Sequence, residues 1–284
     1  MKKKIILIMA RKQGVEPISR QNMRLIKDKP LIDFIIQTAL QYQDAETYIT
    51  TDSEEIKEYA SMYGIEIINR PKNLTKDNSS LEKIAYHAIK HLDKKGKTYE
   101  KCVILHPKFP LLKRNTIMNL FKHLSYDVET VYGISEKINA KSNYLVDNSK
   151  KLPKLVPFKK NTTLITKIVS FNVKFFFKNK GQFKKPFHGL YLPIEEQHSI
   201  SSFNDFRILE QILERKKILV RVNASVDVGL GHVYNMLTIL NHLRNHEILI
   251  VMNENKHQNI GKEKFKEQLY NVKLYSNETN FEKI

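Results

Sequence analysis

Three basic residues occupy a polar segment that separates two apolar stretches near the start of the chain. Residues 2–9 read KKKIILIM, residues 10–22 read ARKQGVEPISRQN, and the second segment contains Arg11, Lys12 and Arg20. Guanidinium and ammonium groups donate charge-assisted hydrogen bonds to phosphate oxygens. The pattern therefore predicts a phosphate-binding loop, and a surface loop with scattered charge is the alternative interpretation.

The elements around this segment are typical of an α/β domain. Apolar residues recur after it at helical spacing, namely Leu31, Ile32, Phe34, Ile35, Ile36, Ala39 and Leu40. In a strand–loop–helix unit of this kind, phosphates bind at the loop that follows the first strand. Further strands are predicted at 47–51, 65–68, 101–105 and 130–134, and further helices at 52–63, 81–92, 115–124 and 206–213. We therefore expect a doubly wound, mostly parallel sheet over residues 1–215.

Composition narrows the class of protein. The formal net charge is +18 and 41% of the 284 residues are hydrophobic, which predicts a packed core and favours anionic partners such as nucleotides. The sequence has no nucleic-acid-binding signature, so we do not expect nucleic acid as the partner. No apolar run is long enough to suggest a membrane span. Because Cys102 is the only cysteine, an internal disulfide is excluded, and we expect a protein of the reducing cytoplasm. The apolar neighbours of Cys102 predict that its thiol is buried.

Several segments resemble the CMP-sugar synthetases, the cytidylyltransferases that activate sialic acid and related nonulosonic acids. The opening matches that family at Ala10-Arg11, at residues 20–22 and at residues 29–32, which read KPLI. The most specific match is residues 50–71, TTDSEEIKEYASMYGIEIINRP, which resemble the family's S-T-D-x-x-E-I-A-x-x-A-x-x-x-G-x-E-x-x-x-R-P. The resemblance implies a homodimer that transfers CMP from CTP to an acidic, sialic acid-like sugar and releases pyrophosphate.

The resemblance also assigns roles to residues of the first domain. Arg11 and Arg20 are the expected catalytic residues, and Lys12 is expected to hold the triphosphate with them. The other residues expected to bind CTP are Asn22, Asp77, Ser79, Ser80, His106 and Asn172. Helix capping is the alternative role for Asp77, Ser79 and Ser80, and for Asp52 a helix cap and a catalytic role are equally expected. His106 stands where the family has Gln, and residues 108–109 are Lys-Phe instead of Thr-Ser.

The family's metal site is altered in this sequence. The family ends its domain with S-I-D-I-D-T-x-x-D-F, in which two aspartates hold Mg²⁺, and the corresponding positions here are Ser199 and Ser201. A neutral hydroxyl is a much poorer Mg²⁺ ligand than a carboxylate. Two hypotheses follow: a transferase of reduced activity, or a non-catalytic nucleotide-sugar-binding or scaffold protein of a surface-glycan pathway.

A second α/β pattern begins near residue 216. A strand is predicted at 218–222, a helix at 233–243 and a strand at 247–252, with the loop NASVDVGLGH at 223–232. The pattern resembles the opening of the nucleotide-sugar hydrolases of the pseudaminic acid pathway, which are relatives of the GT-B glycosyltransferases. The resemblance implies that His232 is catalytic and that Gly229 and Gly231 admit a phosphate or sugar to the helix start. We expect residues 216–284 to be a partial Rossmann-like domain.

Overall fold

The structure, a computed structural model, describes residues 3–13, 18–76, 79–135, 144–147, 154–157, 164–222, 230–253 and 259–275. The chain divides into two compact units, Met1–Phe206 and Arg207–Ile284. This division falls inside the helix Phe203–Glu214, whereas the sequence prediction put the boundary after residue 215. Within the described part of the chain, every helix is too short or too polar to cross a membrane.

A nine-stranded sheet forms the centre of the first unit. Its strand order is β5-β4-β1-β6-β10-β7-β11-β9-β8. Of these strands, β5, β4, β1, β6, β7 and β11 run in one direction, while β10 and β9 run in the opposite one. The strands are β1 (Lys4–Met9), β4 (Glu46–Thr51), β5 (Glu66–Asn69), β6 (Lys101–Leu105), β7 (Thr130–Ser135), β8 (Tyr144–Asp147), β9 (Lys154–Pro157), β10 (Leu164–Asn172) and β11 (Phe187–Tyr191). A separate two-residue hairpin consists of β2 (Leu25–Ile26) and β3 (Lys29–Pro30).

Helices cover both faces of this sheet. They are α1 (Leu31–Leu40), α2 (Glu54–Ser61), α3 (Leu81–Lys94), α4 (Arg114–Lys122) and α5 (Val173–Lys178), followed by α6 (Phe203–Glu214). The alternation along β1 explains the two layers, because Ile6 and Ile8 share a buried cluster with residues of α1 and α4, while Ile5 and Leu7 share one with α3 and α5. Cys102 is fully buried on the α3 side, as predicted.

The second unit is a smaller parallel sheet. Its strands are β12 (Lys217–Arg221), β13 (Glu247–Asn253) and β14 (Asn271–Tyr275), and its helices are α7 (Gly231–His242) and α8 (Asn259–Glu267). The strands are parallel in the order β12-β13-β14. The predicted β–α–β pattern is therefore confirmed, and α7 begins two residues before the predicted start.

Two helix starts differ from the sequence prediction. Ser53 caps α2, because its hydroxyl accepts a hydrogen bond from the Ile56 amide at 3.4 Å, so capping, one of the two roles considered for Asp52, belongs to its neighbour. The helix α6 begins at Phe203 and not at residue 206. Its start is a capping box, in which Ser202 and Asp205 bond each other's amides at 3.3 and 2.8 Å.

Candidate active site

A small pocket lies at the carboxyl ends of β1, β5 and β6. The chain order reverses direction between β1 and β6, since β4 and β5 extend the sheet on one side of β1 and β6 begins the other side. Such a switch point is where open α/β sheets bind ligands. The cavity measures about 140 Å³ and is lined by Met9, Arg11, Arg70, Leu74, Lys76, Ser79, Leu81, Ile84, His106 and Lys167. All the ionisable side chains in this described lining are basic.

Hydrogen bonds between neighbouring strand ends fix the backbone of the pocket. The Ala10 amide donates to the carbonyl of Thr50 at 3.2 Å, and the Arg70 amide donates to that of Thr51 at 2.9 Å. Asp52 extends this pattern, because its Oδ1 accepts a hydrogen bond from the Lys12 amide at 2.9 Å. The carboxylate of Asp52 therefore holds the segment that follows β1.

Two buried amide side chains hold the same region from the other side. Asn22 is 2% exposed, and its Nδ2 donates to the carbonyl of Arg11 at 2.9 Å. Gln21 is equally buried, and its Nε2 donates to the carbonyl of Ile200 at 2.9 Å. Asn22 was predicted to bind the nucleoside. That role stays a prediction, and the hydrogen bond of the Asn22 amide holds the backbone of Arg11, whose side chain lines the pocket.

Arg70 is the most deeply buried cation of the pocket. It is only 8% exposed, and its Nη2 donates to the carbonyl of Thr50 at 2.7 Å, while its buried Nε has no partner in the part of the chain that the structure describes. Burial lowers the pKa of Arg70 to about 10, although the Asp52 carboxylate acts to raise it. The guanidinium is therefore charged at neutral pH. A buried charge of this kind is stabilised by an anion within reach.

His106 supplies a neutral polar group beside these cations. Burial lowers the pKa of His106 well below its usual range. Four positive charges act in the same direction: Lys108, Lys167, Arg70 and Arg11. The ring Nδ1 accepts a hydrogen bond from the Lys108 amide at 3.3 Å, so Nε2 carries the hydrogen of the neutral ring. His106 can thus donate one hydrogen bond to a ligand in the pocket.

The predicted binding residues separate into three groups. Arg11, Ser79 and His106 line the pocket. Lys12 is exposed beside it, and Ser80 caps α3 by accepting from the Lys83 amide at 3.2 Å. Arg20 was predicted to be catalytic, but it is exposed, outside the lining, and forms an ion pair with Glu55 of α2. Asp77 and Gly229 lie outside the described residues.

Asn172 was predicted to bind CTP, and that role stays a prediction, although the structure places this residue away from the pocket. It ends β10 and pairs with Lys101, the first residue of β6, so it lies at the sheet edge opposite the pocket. Its Nδ2 donates to the carbonyl of Ser125 at 2.8 Å. Lys167, near the start of the same strand, reaches the pocket instead.

The predicted residues of the second unit lie at the start of α7. Gly231 and His232 are the first two residues of that helix, and both are exposed. A Cβ at Gly231 would meet no atom within 4 Å, so local packing does not require glycine there. The proposed roles of these two residues stay predictions.

Comparison with known proteins identifies the first unit. The family model described as cytidylyltransferase matches residues 5–164, which is more than half of the chain. The chain belongs to the cytidylyltransferase family. The matched range includes most of the pocket, from Met9 and Arg11 to His106. Lys167 and residues 199–205 follow it.

The chain has curated relatives over part of its length. It is 32% identical over 123 residues to the N-acylneuraminate cytidylyltransferase of Escherichia coli O18:K1:H7. It is 30% identical over 121 residues to the pseudaminic acid cytidylyltransferase of Campylobacter jejuni serotype O:2. The matches cover 43% and 42% of this chain, but only 28% and 52% of those two relatives.

Solved structures share the fold of this chain. One is a CMP-2-keto-3-deoxy-manno-octonic acid synthetase in complex with CTP, with a TM-score of 0.55 and 13% identity over 74% of this chain and 98% of that one. Another is the 4-diphosphocytidyl-2C-methyl-D-erythritol synthase of Anaerococcus prevotii, with a TM-score of 0.52 and 13% identity over 76% of this chain and all of that one. At this identity the likeness establishes the fold alone, and it confirms the predicted α/β class.

The segment at 199–205, which follows the range matched by the family model, offers few anionic oxygens to a magnesium ion. Ser199 and Ser201 offer hydroxyls, and the Oδ2 of Asp205 already accepts the amides of Ser201 and Ser202 at 2.8 Å. Glu196 is buried and accepts from the Lys113 amide at 3.1 Å. In the ranges that the structure describes, no three His, Cys, Asp or Glu side chains come together to hold an ion. These donors do not fit Mg²⁺, which prefers anionic oxygen ligands.

Two neighbouring residues, Asp52 and Ser53, provide a test of their different roles at the start of α2. We expect Asp52→Ala to speed hydrogen exchange of the Lys12 amide about tenfold, because the charged acceptor of that amide is lost. Ser53→Ala should instead speed exchange at Ile56 and lower the free energy of unfolding by about 1 kcal/mol, as the loss of a helix cap does. Amide exchange followed by NMR measures both effects. Faster Lys12 exchange in Ser53→Ala but not in Asp52→Ala would contradict this assignment.

Proposed function

We propose that this chain is a nucleotidyltransferase of the CMP-nonulosonic acid synthetase type, which transfers CMP from CTP to a sialic acid-like sugar. The observation that carries the proposal is the pocket of basic side chains at the switch point of a cytidylyltransferase sheet. Two relatives, which are 32% and 30% identical to this chain over 123 and 121 residues, are named for N-acylneuraminate and pseudaminic acid. Both of those sugars are acidic. A basic pocket suits both the triphosphate and the sugar carboxylate.

In the proposed reaction, a sugar hydroxyl attacks the α-phosphate of CTP. The new bond joins the sugar oxygen to the α-phosphorus. The bond from the α-phosphorus to the oxygen that bridges the α- and β-phosphates breaks, and pyrophosphate leaves. The hydroxyl proton passes to solvent. Negative charge on the phosphate oxygens must be balanced, and this balance is the main contribution of the protein in phosphoryl transfer. Arg11 and Arg70 are placed to provide it, and His106 donates a hydrogen bond without adding charge.

The serines at positions 199 and 201 favour a transferase of low activity. Carboxylates that hold a divalent ion are absent at Ser199 and Ser201, so the charge balance depends on the side chains of the pocket alone. The same observation favours a second candidate, a non-catalytic protein that binds a nucleotide or nucleotide sugar as a scaffold of a surface-glycan pathway. For the second unit we infer a role in handling nucleotide sugars, with His232 exposed at the start of α7.

Pyrophosphate release separates the two candidates. The full chain is incubated with CTP and with sialic, pseudaminic or legionaminic acid, and UTP replaces CTP in a parallel reaction. We expect slow release that requires both CTP and one of the sugars. Arg11→Ala should reduce both CTP affinity and release by about 100-fold, because a cation in contact with phosphate is lost. Lys174→Ala, an exposed lysine at the opposite edge of the sheet, should change neither.

Three outcomes would count against the transferase, against its preference for CTP or against the location of its site. CTP binding without release for any sugar would favour the scaffold. Release that proceeds equally with UTP would contradict a cytidylyltransferase role. Binding that is insensitive to Arg11→Ala would contradict the assignment of this pocket as the nucleotide site.

A further inference from the structure

The segment that carries Ser199 and Ser201 is fixed beside Lys108. The amide of Ile200, between the two serines, donates to the carbonyl of Lys108 at 2.8 Å. The carbonyl of Ile200 accepts from the buried Gln21 Nε2 at 2.9 Å. Both backbone groups of Ile200 are therefore paired, and its side chain is fully buried. In the family that this chain resembles, a Thr-Ser pair stands where this chain has Lys108 and Phe109. A cation, Lys108, therefore takes the place of a neutral residue beside Ser199 and Ser201, the positions at which the family has its two aspartates.

The ammonium group of Lys108 has no acidic partner among the described residues. Its Nζ lies 5.0 Å from the centre of the Phe109 ring, and the side chain is half-buried. Burial lowers the pKa of Lys108 to about 8, and the charge of Lys167 acts in the same direction. A cation held over an aromatic ring and near another cation is stabilised when an anion enters.

Lys167 brings a second cation to the same place from a different strand. It lies near the start of β10, which runs antiparallel to β6, and its side chain lines the pocket. Its charge acts on both His106 and Lys108. Lys167 thus comes close to His106, which lines the pocket, and to Lys108, which lies just outside the lining, because β10 begins where β6 ends.

The pocket carries positive charge that no described acid of its lining balances. Arg70 is nearly fully buried there and keeps an unpartnered Nε. Together, Lys108 and Lys167 carry as much positive charge as one divalent ion. The acids that would hold such an ion are absent at 199 and 201, and Asp205 is engaged by backbone amides.

We propose that Lys108 and Lys167 supply the positive charge that a divalent ion would otherwise bring, so that this pocket binds the phosphates of a nucleoside triphosphate without metal. The inference rests on the proposed function, because it concerns the same pocket and the same substrate. It assigns the two lysines to charge balance, and it leaves recognition of the cytosine base to other residues.

Calorimetry with two probes tests the inference on the full chain. CTP and inorganic pyrophosphate are titrated in EDTA and again with excess Mg²⁺. We expect both ligands to bind in EDTA, and we expect Mg²⁺ to leave their affinities unchanged or lower them, because the ion masks the phosphate charge. Lys108→Gln and Lys167→Gln should each weaken binding of both ligands at least tenfold in EDTA, as lost charge-assisted contacts do. Lys174→Gln, at the opposite sheet edge, is the control with the same loss of charge.

The variants distinguish a charge effect from a folding effect. Lys167 is exposed, so Lys167→Gln is expected to fold as the native chain does, and Lys108→Arg should retain most of the affinity. A tenfold or greater gain in CTP affinity on adding Mg²⁺ would overturn the inference, as would native affinity in both glutamine variants. Lysine-dependent binding of pyrophosphate with no additional affinity for CTP would support the inference and contradict the proposed function. Turnover that requires Mg²⁺ and is unchanged in both glutamine variants would support the proposed function and contradict the inference.

Discussion

Replacing Arg70 with methionine should weaken CTP binding by about 100-fold and leave the fold intact. Arg70 is the pocket's most buried cation, and its Nε has no hydrogen-bond partner among the described residues. A guanidinium in a poorly solvated pocket binds phosphate strongly, and its loss removes both charge and a fork of donors. Methionine fills similar volume without a buried charge, so we expect the free energy of unfolding to change by less than about 1 kcal/mol. Calorimetry and denaturant unfolding measure the two quantities on the same samples.

Two further variants make this prediction specific. Arg114→Met is the matched control, because Arg114 also donates to a backbone carbonyl, that of Gln41 at 3.0 Å, but lies outside the pocket on α4. It should not change CTP affinity. Arg70→Lys should recover only part of the affinity, since an ammonium group cannot donate two parallel hydrogen bonds in a fixed plane. Native affinity in Arg70→Met would show that the ligand binds elsewhere.

The double change Ser199→Asp and Ser201→Asp should create activity that depends on Mg²⁺. The two residues flank the buried Ile200 in a segment whose backbone is paired on both sides, so their side chains leave it on the same side. Two carboxylates there can hold one divalent ion, which is worth several kcal/mol in phosphoryl transfer. We expect pyrophosphate release to rise about 100-fold in Mg²⁺ and to stay near the native rate in EDTA.

A control for added negative charge is available elsewhere on the chain. Ser61→Asp with Ser125→Asp places the same charge on exposed serines away from the pocket, and this pair should leave the rate unchanged. Strong Mg²⁺-dependent release by the native chain would mean that another acid already holds the ion. No gain in the double variant would place the main loss of activity elsewhere, for example at His106 or Lys108.

The sequence predicted the framework of the site better than its residues. Continuous or alternating apolar patterns located β1, β6 and α3 to within a residue or two, because burial of the sheet faces is recorded directly in the pattern. Helix capping was harder to assign. Asp52 and Ser53 are adjacent residues of equal capping propensity, and the choice between them depends on a hydrogen bond to Lys12, forty positions away.

Strand direction was not visible in the sequence. Asn172 was selected by its place in a segment that resembles the family, but β10 runs opposite to β6, so the end of that strand nearest the pocket is its start. Lys167 was missed for the same reason, although a lysine within the apolar run LITKIVSFN was a visible signal. Arg70 belonged to the most specific motif, yet its burial and its unpartnered Nε are known only once β5 is placed beside β4.

The hydrogen bonds between the ends of β1, β4 and β5 have a consequence for the thermodynamics of binding. Ala10, Lys12 and Arg70 already have their amides paired before any ligand arrives. A ligand that enters the pocket therefore does not have to order these backbone segments, and the conformational entropy lost on binding is confined to side chains such as the exposed Lys76 and Lys167. The pocket is preorganised by folding itself, so stability of the sheet edge and affinity for the ligand are set by the same hydrogen bonds.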